Sequence, residues 1–314
     1  LIRDHALALL VALLIDAALG DREDLPHPVR WIGACYAWWD KFFHKGNWRV
    51  YETGLFTVLL MGGVFALGPW FLLSLVRDGW PHLLAEGFLL YWCLSVRNLA
   101  DEARRVWEAL RYKRLPEARR LLARVVGRDT LKLPSSEIAR GVVETLGESL
   151  VDGFLSPLFW GLLLGVPGAF FFKAVSTGDS MIGHPEEPYR RFGWAAARLD
   201  DALNWIPARL SILVLIPAAL LNRLSVSGLW KAFWADRLKH ASPNAAHGEA
   251  AFAGALGVKL GGMNRYGGNA YRQAFLNASG RPCEPEDILR GVSFLWMVAI
   301  ISGGILLLLA LVVH

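Results

Sequence analysis

The densest run of side chains able to do chemistry is KAVSTGDSMIG, residues 173–183, in which Lys173, Ser176, Thr177, Asp179 and Ser180 fall within eight positions. It follows directly on GFLSPLFWGLLLGVPGAFFF, twenty residues without a charge. Upstream of that apolar run, Glu137, Glu144, Glu148 and Asp152 are separated by 7, 4 and 4 residues, which on an α-helix keeps all four carboxylates within roughly 100° of one face. A stripe of this kind is either a solvated acidic face or a working one. Asp152 abuts the apolar run, where an unpaired carboxylate is expensive, and a Mg²⁺ ion or a set of arginine partners would offset that cost. Downstream, in RRFGWAAARLDDALNWIPARL, Arg198, Asp201 and Asn204 stand at i, i+3 and i+6, and Asp200 and Asn204 at i, i+4. An intrahelical ion pair accounts for Arg198 with Asp201. It does not account for Asp179, Asp200, Asp201, Asn204 and Arg209 crowding between two apolar runs.

The elements that position these residues belong to a membrane protein. The chain of 314 residues is 54% hydrophobic with 14 Trp and a mean hydropathy of +0.34, yet 19% charged. It is too apolar for an ordinary soluble domain and too charged for a plain helical bundle in lipid. Two uncharged runs of 22 residues, 55–76 and 292–313, each reach about 33 Å and suffice to cross a bilayer. Weaker membrane segments are expected at 5–20, 80–96, 153–172 and 207–221. The 153–172 run is interrupted by Gly165, Pro167 and Gly168, which suits a kinked, re-entrant or hairpin element at least as well as a straight span. The chain opens LIRDHALALLVALLID without a methionine, which leaves room for a start upstream. Asp16 closes that run with no small-residue cleavage site, so a retained membrane helix is expected there. The fold class is therefore all-α: a polytopic integral membrane protein with four to six membrane helices, read as one membrane-embedded domain over 1–314.

Polar segments 22–54, 97–152 and 222–291 are rich in Lys and Arg, the middle one carrying twelve against nine Asp and Glu, which places them on the cytoplasmic face. If every candidate run crossed, residues 173–206 would lie on the other face. Segment 97–126 reads as a basic amphipathic hairpin, with Pro116 opening its second helix. Small residues in KHASPNAAHGEAAFAGALGVKLGG suit close helix packing, and its Ser-Pro-Asn is a turn and N-cap signal. The chain has no GxxxxGK[ST] and no GxGxxG opening, which excludes a standard P-loop and a Rossmann site. Cys35, Cys93 and Cys283 stand far apart with no zinc or disulfide pattern. A net charge of only +5, on basic residues that flank membrane segments, gives no reason to expect nucleic acid as a partner.

Taken in order, IDAALGD with LPHPVRWIG, VGRDT, ESLVDG with SPLFW, KAVSTGDSMIG, FGWAAARLDDALNWIPARL and SPNAAHGEAAFAGALGVKLGG resemble the motifs of the CobD/CbiB family, the membrane-bound adenosylcobinamide-phosphate synthases of cobalamin biosynthesis. The resemblance spans roughly residues 10 to 270. It implies a ligase that joins the propionate carboxylate of adenosylcobyric acid to 1-amino-2-propanol or its O-phosphate, driven by ATP with Mg²⁺, in a prokaryotic inner membrane with the site facing the cytoplasm. It further implies the lipid bilayer, other late cobalamin-biosynthesis membrane enzymes and copies of the same chain as partners. Rival readings are a catalytically silent relative acting as a sensor, and a corrinoid-binding scaffold for the next synthase.

Carried over motif by motif, the implied site residues are Asp21, His27 and Arg30; Arg128 and Asp129; Glu144, Glu148 and Asp152; Lys173, Asp179, Ser180, Arg198, Asp200, Asp201, Asn204 and Arg209; and Ser242, Asn244 and Glu249. Of these, Glu144, Glu148, Asp152, Lys173, Asp179 and Asp201 are the expected catalytic set. Glu148, Asp152, Asp179 and Asp201 would bind Mg²⁺, while Arg30, Arg128, Lys173, Arg198 and Arg209 would hold ATP or the aminopropanol phosphate. His27 is either a general base or, between Pro26 and Pro28, a turn-fixing residue. The chain departs from the family pattern at Ser149 and Ser176, where Asn is usual, and at Arg22, where a proline commonly follows Gly-Asp. Serine replaces an amide's hydrogen bonding only in part, and altered use of the amine is the expected consequence. Because the motifs must meet, residues 173–206 are expected to share a face with the others, which makes 153–172 and 207–221 re-entrant or paired.

Overall fold

The structure is a computed structural model and describes residues 1–21, 27–43, 50–184 and 186–313. The departure at Arg22, together with Leu25 and Pro26 of the N-terminal motif, lies outside the described residues. The elements in chain order are α1 (Ile2–Leu19), α2 (Pro28–Phe43), α3 (Tyr51–Ser74), α4 (Trp80–Tyr91), α5 (Val96–Arg111), α6 (Leu115–Leu122), α7 (Ser135–Leu150), a single π turn (Val151–Leu155), α8 (Ser156–Ile182), α9 (Trp194–Leu210), α10 (Ile212–Leu221), α11 (Val226–Asp236), α12 (Ala245–Leu256), β1 (Leu260–Tyr266), β2 (Asn269–Leu276) and α13 (Pro285–Val312). The all-α expectation holds with one exception, the β1–β2 hairpin. Its signal lay in Gly267–Gly268: both take left-handed φ (55° and 85°) between paired Tyr266 and Asn269, the backbone a two-residue hairpin turn demands.

Where the sequence suggests one continuous domain, packing gathers the chain into two compact units. The first comprises Leu1–Ser95, Asp152–Ile206 and Gly303–His314, the second Val96–Val151 and Pro207–Ser302. Among the described residues, α3, α13 and the stretch Ser135–Ile182 are long and apolar enough to cross a membrane, and α9 with α10, bent by 45°, form a fourth candidate. The segments expected at 5–20 and 80–96 are helical but do not join them. The helix formed there, α1, carries Arg3, Asp4 and Asp16, and α4, at 12 residues, reaches only about 18 Å.

Within the first unit, α8 is a hairpin of two helical legs. Gly165 interrupts it with φ 64° and ψ −149°, and Pro167 removes the next backbone donor. A methyl on Gly161 would lie 3.6 Å from the Ala169 Cβ, and one on Gly168 would strike the Trp160 carbonyl. On a straight helix, residues eight apart are about 12 Å apart, so the chain folds back on itself. Lys173 likewise acts electrostatically on Asp152, although 21 positions of straight helix would separate them by about 31 Å. The 153–172 run therefore returns to the level at which it started. This removes the conflict posed by its position between motif-bearing segments.

The second leg of this hairpin packs along α3, whose glycines admit close approach: Gly54 abuts the Phe192 backbone and Gly62 the Phe171 ring. Ile32, Tyr36, Val58, Ala174, Val175, Phe192 and Ala196 form the buried core there. On the other flank α1 and α4 lie against each other and on α8, with Gly87 set against Val11 and the Ala8 carbonyl.

In the second unit α12 is central, packed by α7, α10, α11 and the hairpin. Gly147 meets the Gly248–Glu249 backbone and Gly228 meets Gly254, so the small residues of this segment serve close packing as expected. The predicted basic helical hairpin is α5 with α6, and both lie over α7. Phe294 of α13 lies tilted at 48° against Phe252, ring centroids 4.9 Å apart.

Candidate functional site

The first unit assembles one group of predicted site residues at the feet of the α8 hairpin. The π turn carries Asp152, the second leg carries Lys173 and Asp179, and α9 carries Asp200, Asp201 and Asn204. Asp152, Asp179, Asp200 and Asp201 lie within electrostatic range of one another, with Lys173 the cation beside Asp152. Asn204 is buried and fixes α9 in place: its Oδ1 accepts from Ser156 Oγ at 2.5 Å, and its Nδ2 donates to Asp200 Oδ2 at 2.9 Å. The Trp160 indole donates to the Leu203 carbonyl at 3.0 Å. Asp200 Oδ1 is left buried with no hydrogen-bond partner among the described residues. Gly183 keeps room for Asp179, because a methyl there would sit on its carboxylate.

Around this group Arg198 is 66% exposed and reaches Asp201 at 3.9 Å, and Ser180 and Arg30 are exposed. Ser176 is half-buried, its carbonyl accepting from Ser180 Oγ at 3.0 Å. At the end of α1, Asp21 pairs with His27 at 3.2 Å. The Val29 amide donates to His27 Nδ1 at 3.2 Å, so Nε2 carries the ring hydrogen and donates to Asp21. With both nitrogens engaged and the ring edge-on to Trp92 at 4.7 Å, His27 caps α2. The turn-fixing alternative is the one this geometry favours.

A second group is built in the second unit. Glu144 on α7 accepts from Arg128 Nη2 at 2.7 Å through Oε2. Its Oε1 accepts from Arg140 Nη1 at 2.9 Å and from the Gly261 amide at 2.8 Å. Arg140 also donates to Glu137 at 2.6 Å and to Asn264 Oδ1 at 2.8 Å, the atom to which Arg128 Nη1 donates at 2.6 Å. Asp129 accepts from the Gly268 amide at 2.8 Å, pinning the β-hairpin turn. Burial and the nearby Glu148 and Glu144 hold the Glu249 carboxyl well above its usual range, against the pull of Arg128 and Arg140. At the start of α12, Ser242 Oγ accepts from the Asn244 amide at 3.3 Å, and Asn244 Oδ1 accepts from Arg209 at 3.3 Å.

The predicted acidic face of residues 137–152 is thus divided. Glu137 and Glu144 engage arginines, the solvent-exposed Glu148 bears on Glu249, and Asp152 belongs to the first group. Of the expected Mg²⁺ set, Asp152, Asp179 and Asp201 belong to the first group, and Glu148 precedes Asp152 by four residues. Among the described residues no three His, Cys, Asp or Glu side chains are placed to hold a metal ion by themselves. The first group nonetheless has the donor chemistry of a hard cation's surroundings, all carboxylate oxygen, and one orphaned buried oxygen to offer. Arg140 and Asn264 were not foreseen. Glu137–Arg140 at i, i+3 followed by Arg140–Glu144 at i, i+4 is a readable signal, whereas Asn264 depends on the hairpin.

The CobD/Cbib protein family model matches residues 9–295. The cobalamin biosynthesis protein CobD of Desulfotalea psychrophila is 39% identical over 300 residues, covering 90% of this chain and 91% of its own. CbiB of Salmonella typhimurium is 38% identical over 313 residues, 96% of each chain, and CobD of Klebsiella pneumoniae 39% over 299 residues, 93% of each. No solved structure matches the chain. A family match across nearly the whole length, with relatives of this identity and coverage, means that the chain belongs to the CobD/CbiB family.

Proposed function

We propose that the protein forms an amide bond in cobalamin biosynthesis, coupling the propionate of adenosylcobyric acid to 1-amino-2-propanol or its O-phosphate with ATP and Mg²⁺. The observation that carries this reading is the group at the feet of α8: four carboxylates beside Lys173, one of whose oxygens, Asp200 Oδ1, is buried without a partner. An isolated set of like charges there is costly, and a cation that also meets phosphate oxygens removes the cost.

In the proposed reaction a carboxylate oxygen attacks the γ-phosphorus of ATP and ADP leaves. The amine nitrogen then attacks the acyl carbon, phosphate leaves and the nitrogen gives up a proton. One or two of Asp152, Asp179, Asp200 and Asp201 would hold Mg²⁺ jointly with phosphate oxygens and water, the coordination this ion prefers. Bound there, the ion would neutralise charge on the transferring phosphoryl group. Lys173 would contact phosphoryl oxygens as a point charge, and Arg198 and Arg30 would reach the outer phosphates. Ser156 and Asn204 orient Asp200. The Glu144 network is engaged on every oxygen and supports the fold of its unit rather than touching substrate. The site is proposed to face the cytoplasm from a prokaryotic inner membrane.

The test is a ligation assay with detergent-purified protein, adenosylcobyric acid, ATP and Mg²⁺, with each amine supplied separately and products followed by mass spectrometry. An amide product establishes the ligase and names its amine. Folded protein that binds the corrinoid and couples neither amine would instead favour a scaffold, with Ser149 and Ser176 as the suspected cause.

A further inference from the structure

A cavity of about 840 Å³ lies at the tip of the α8 hairpin in the first unit, lined by Asp4 and His5 of α1, Trp70 of α3, Trp80, His82 and Glu86 of α4, and leucines of α1, α3, α4 and α8. It sits at the opposite end of α8 from the carboxylate group, and none of the family motifs in the sequence supplies its polar residues.

The broken helix explains part of this arrangement. The first leg leaves the Leu162 carbonyl without its helical partner, and His5 Nδ1 donates to it at 3.1 Å. That fixes the hydrogen on Nδ1 and turns Nε2 toward Glu86, whose Oε1 stands 3.7 Å away, beyond hydrogen-bond distance. Glu86 is 5% exposed and lines the cavity, with His5 and His82 as the imidazoles beside it. His82 Nδ1 is also buried without a partner among the described residues. Asp4 and Asp78 add two more carboxylates, Asp4 standing 3.3 Å from the Leu1 amino group. Among the described residues lining the cavity there is no lysine or arginine.

A roomy, largely apolar cavity with a buried carboxylate, two indoles and no lysine or arginine among its described residues matches one ligand chemistry. An organic cation satisfies the carboxylate, is attracted to indole faces and fills the apolar remainder. A small hydrated metal ion would leave most of the volume unfilled, and the side chains present do not converge on one. We propose that this cavity binds an organic monocation with an apolar body, its charged centre against Glu86 and its hydrocarbon against Trp70 and Trp80. The proposal does not depend on the ligase reading.

The experiment is equilibrium binding of radiolabelled tetraphenylphosphonium to the detergent-purified full chain, with competition by tetrabutylammonium and by tributyl phosphate, a neutral molecule of similar size. Saturable binding at one site per chain is expected, displaced by tetrabutylammonium and not by tributyl phosphate. Glu86→Gln should weaken it at least about tenfold, the scale of a contact to a charged group. Trp80→Ala, at a position 76% exposed and so safe for folding, should weaken it roughly three- to thirtyfold. The Trp80 variant carries the test if Glu86→Gln does not fold. Equal displacement by the neutral competitor, as from a lipid-filled cavity, overturns the proposal, and so does an affinity that neither substitution changes.

Discussion

Glu144 is a buried carboxylate and Asp200 carries one buried oxygen, and their surroundings predict opposite consequences for removing their charge. Glu144 binds two arginines and a backbone amide, so Glu144→Gln strands Arg128 and Arg140 in a buried site. The expected loss is about 3–5 kcal/mol, read as a lower thermal midpoint in detergent. Asp200 is surrounded by like charge, so Asp200→Asn should leave that midpoint unchanged or raise it while lowering ligation by roughly 100-fold. Asparagine can still accept from Asn204, which separates loss of charge from loss of geometry. Parallel falls in midpoint and activity for Asp200→Asn would mean a structural role only. His247 supplies a pH test. It is buried against Phe233, and burial, reinforced by Arg209 and Arg237, pushes its imidazole down to about 4. Folded protein then binds fewer protons than unfolded protein between about pH 6.5 and 4, so the stability this residue contributes is present above pH 6.5 and lost as pH falls to 4. Subtracting the His247→Asn stability profile from that of the native chain should expose this slope, worth at most about 3 kcal/mol. A flat difference would show that the ring takes up its proton as readily in the fold as in the unfolded chain.

The element on which the carboxylate group depends is the α8 hairpin, and Gly165 makes its turn. A methyl there would lie 2.7 Å from His5 Nε2 and 3.1 Å from Glu86 Oε1, at a φ that disfavours any side chain. Gly165→Ala should cost about 1–3 kcal/mol. Gly63→Ala on α3, where a methyl meets nothing within 4 Å, should be neutral or stabilising by up to about 1 kcal/mol. Equal effects at the two positions would argue for a straight α8. Gly165 with Pro167 was readable as a break, but whether the chain kinks or reverses depends on what packs at the tip, and His5 and Glu86 are distant in sequence. Glu86 itself was legible as a lone carboxylate in an apolar run, the kind of residue that marks function in a membrane segment. The carboxylates at the feet of α8 were recoverable because each lies in a dense local motif. The Arg140–Glu144–Asn264 network was not, because it joins an i, i+4 pair to a hairpin whose alternation is blurred by Gly261 and Gly262.

At the scale of the whole chain, what remains is which ends of its helices share a side of the membrane. α3 has 24 residues and reaches about 36 Å, more than the hydrocarbon core. Its first turn meets α9, Tyr51 standing edge-on to Trp194 at 5.6 Å, near the feet of α8 and the carboxylate group. Its last turns, with Trp70 and Ser74, line the cavity at the hairpin tip. If α3 crosses, the carboxylates and the cavity mouth open to opposite sides of the bilayer, even though α8 itself never crosses. Ser180 and Asp78 are exposed at the two ends. With the partly buried Cys35 replaced, the remaining Cys93 and Cys283 are buried and give little background. In sealed spheroplasts a membrane-impermeant maleimide should label Asp78→Cys and leave Ser180→Cys unmodified until the cells are opened. Labelling of both from outside would mean that α3 does not span. Protection of Asp78→Cys with labelling of Ser180→Cys would keep the span and reverse its direction, putting the carboxylate group on the side without ATP and defeating the ligase reading with it.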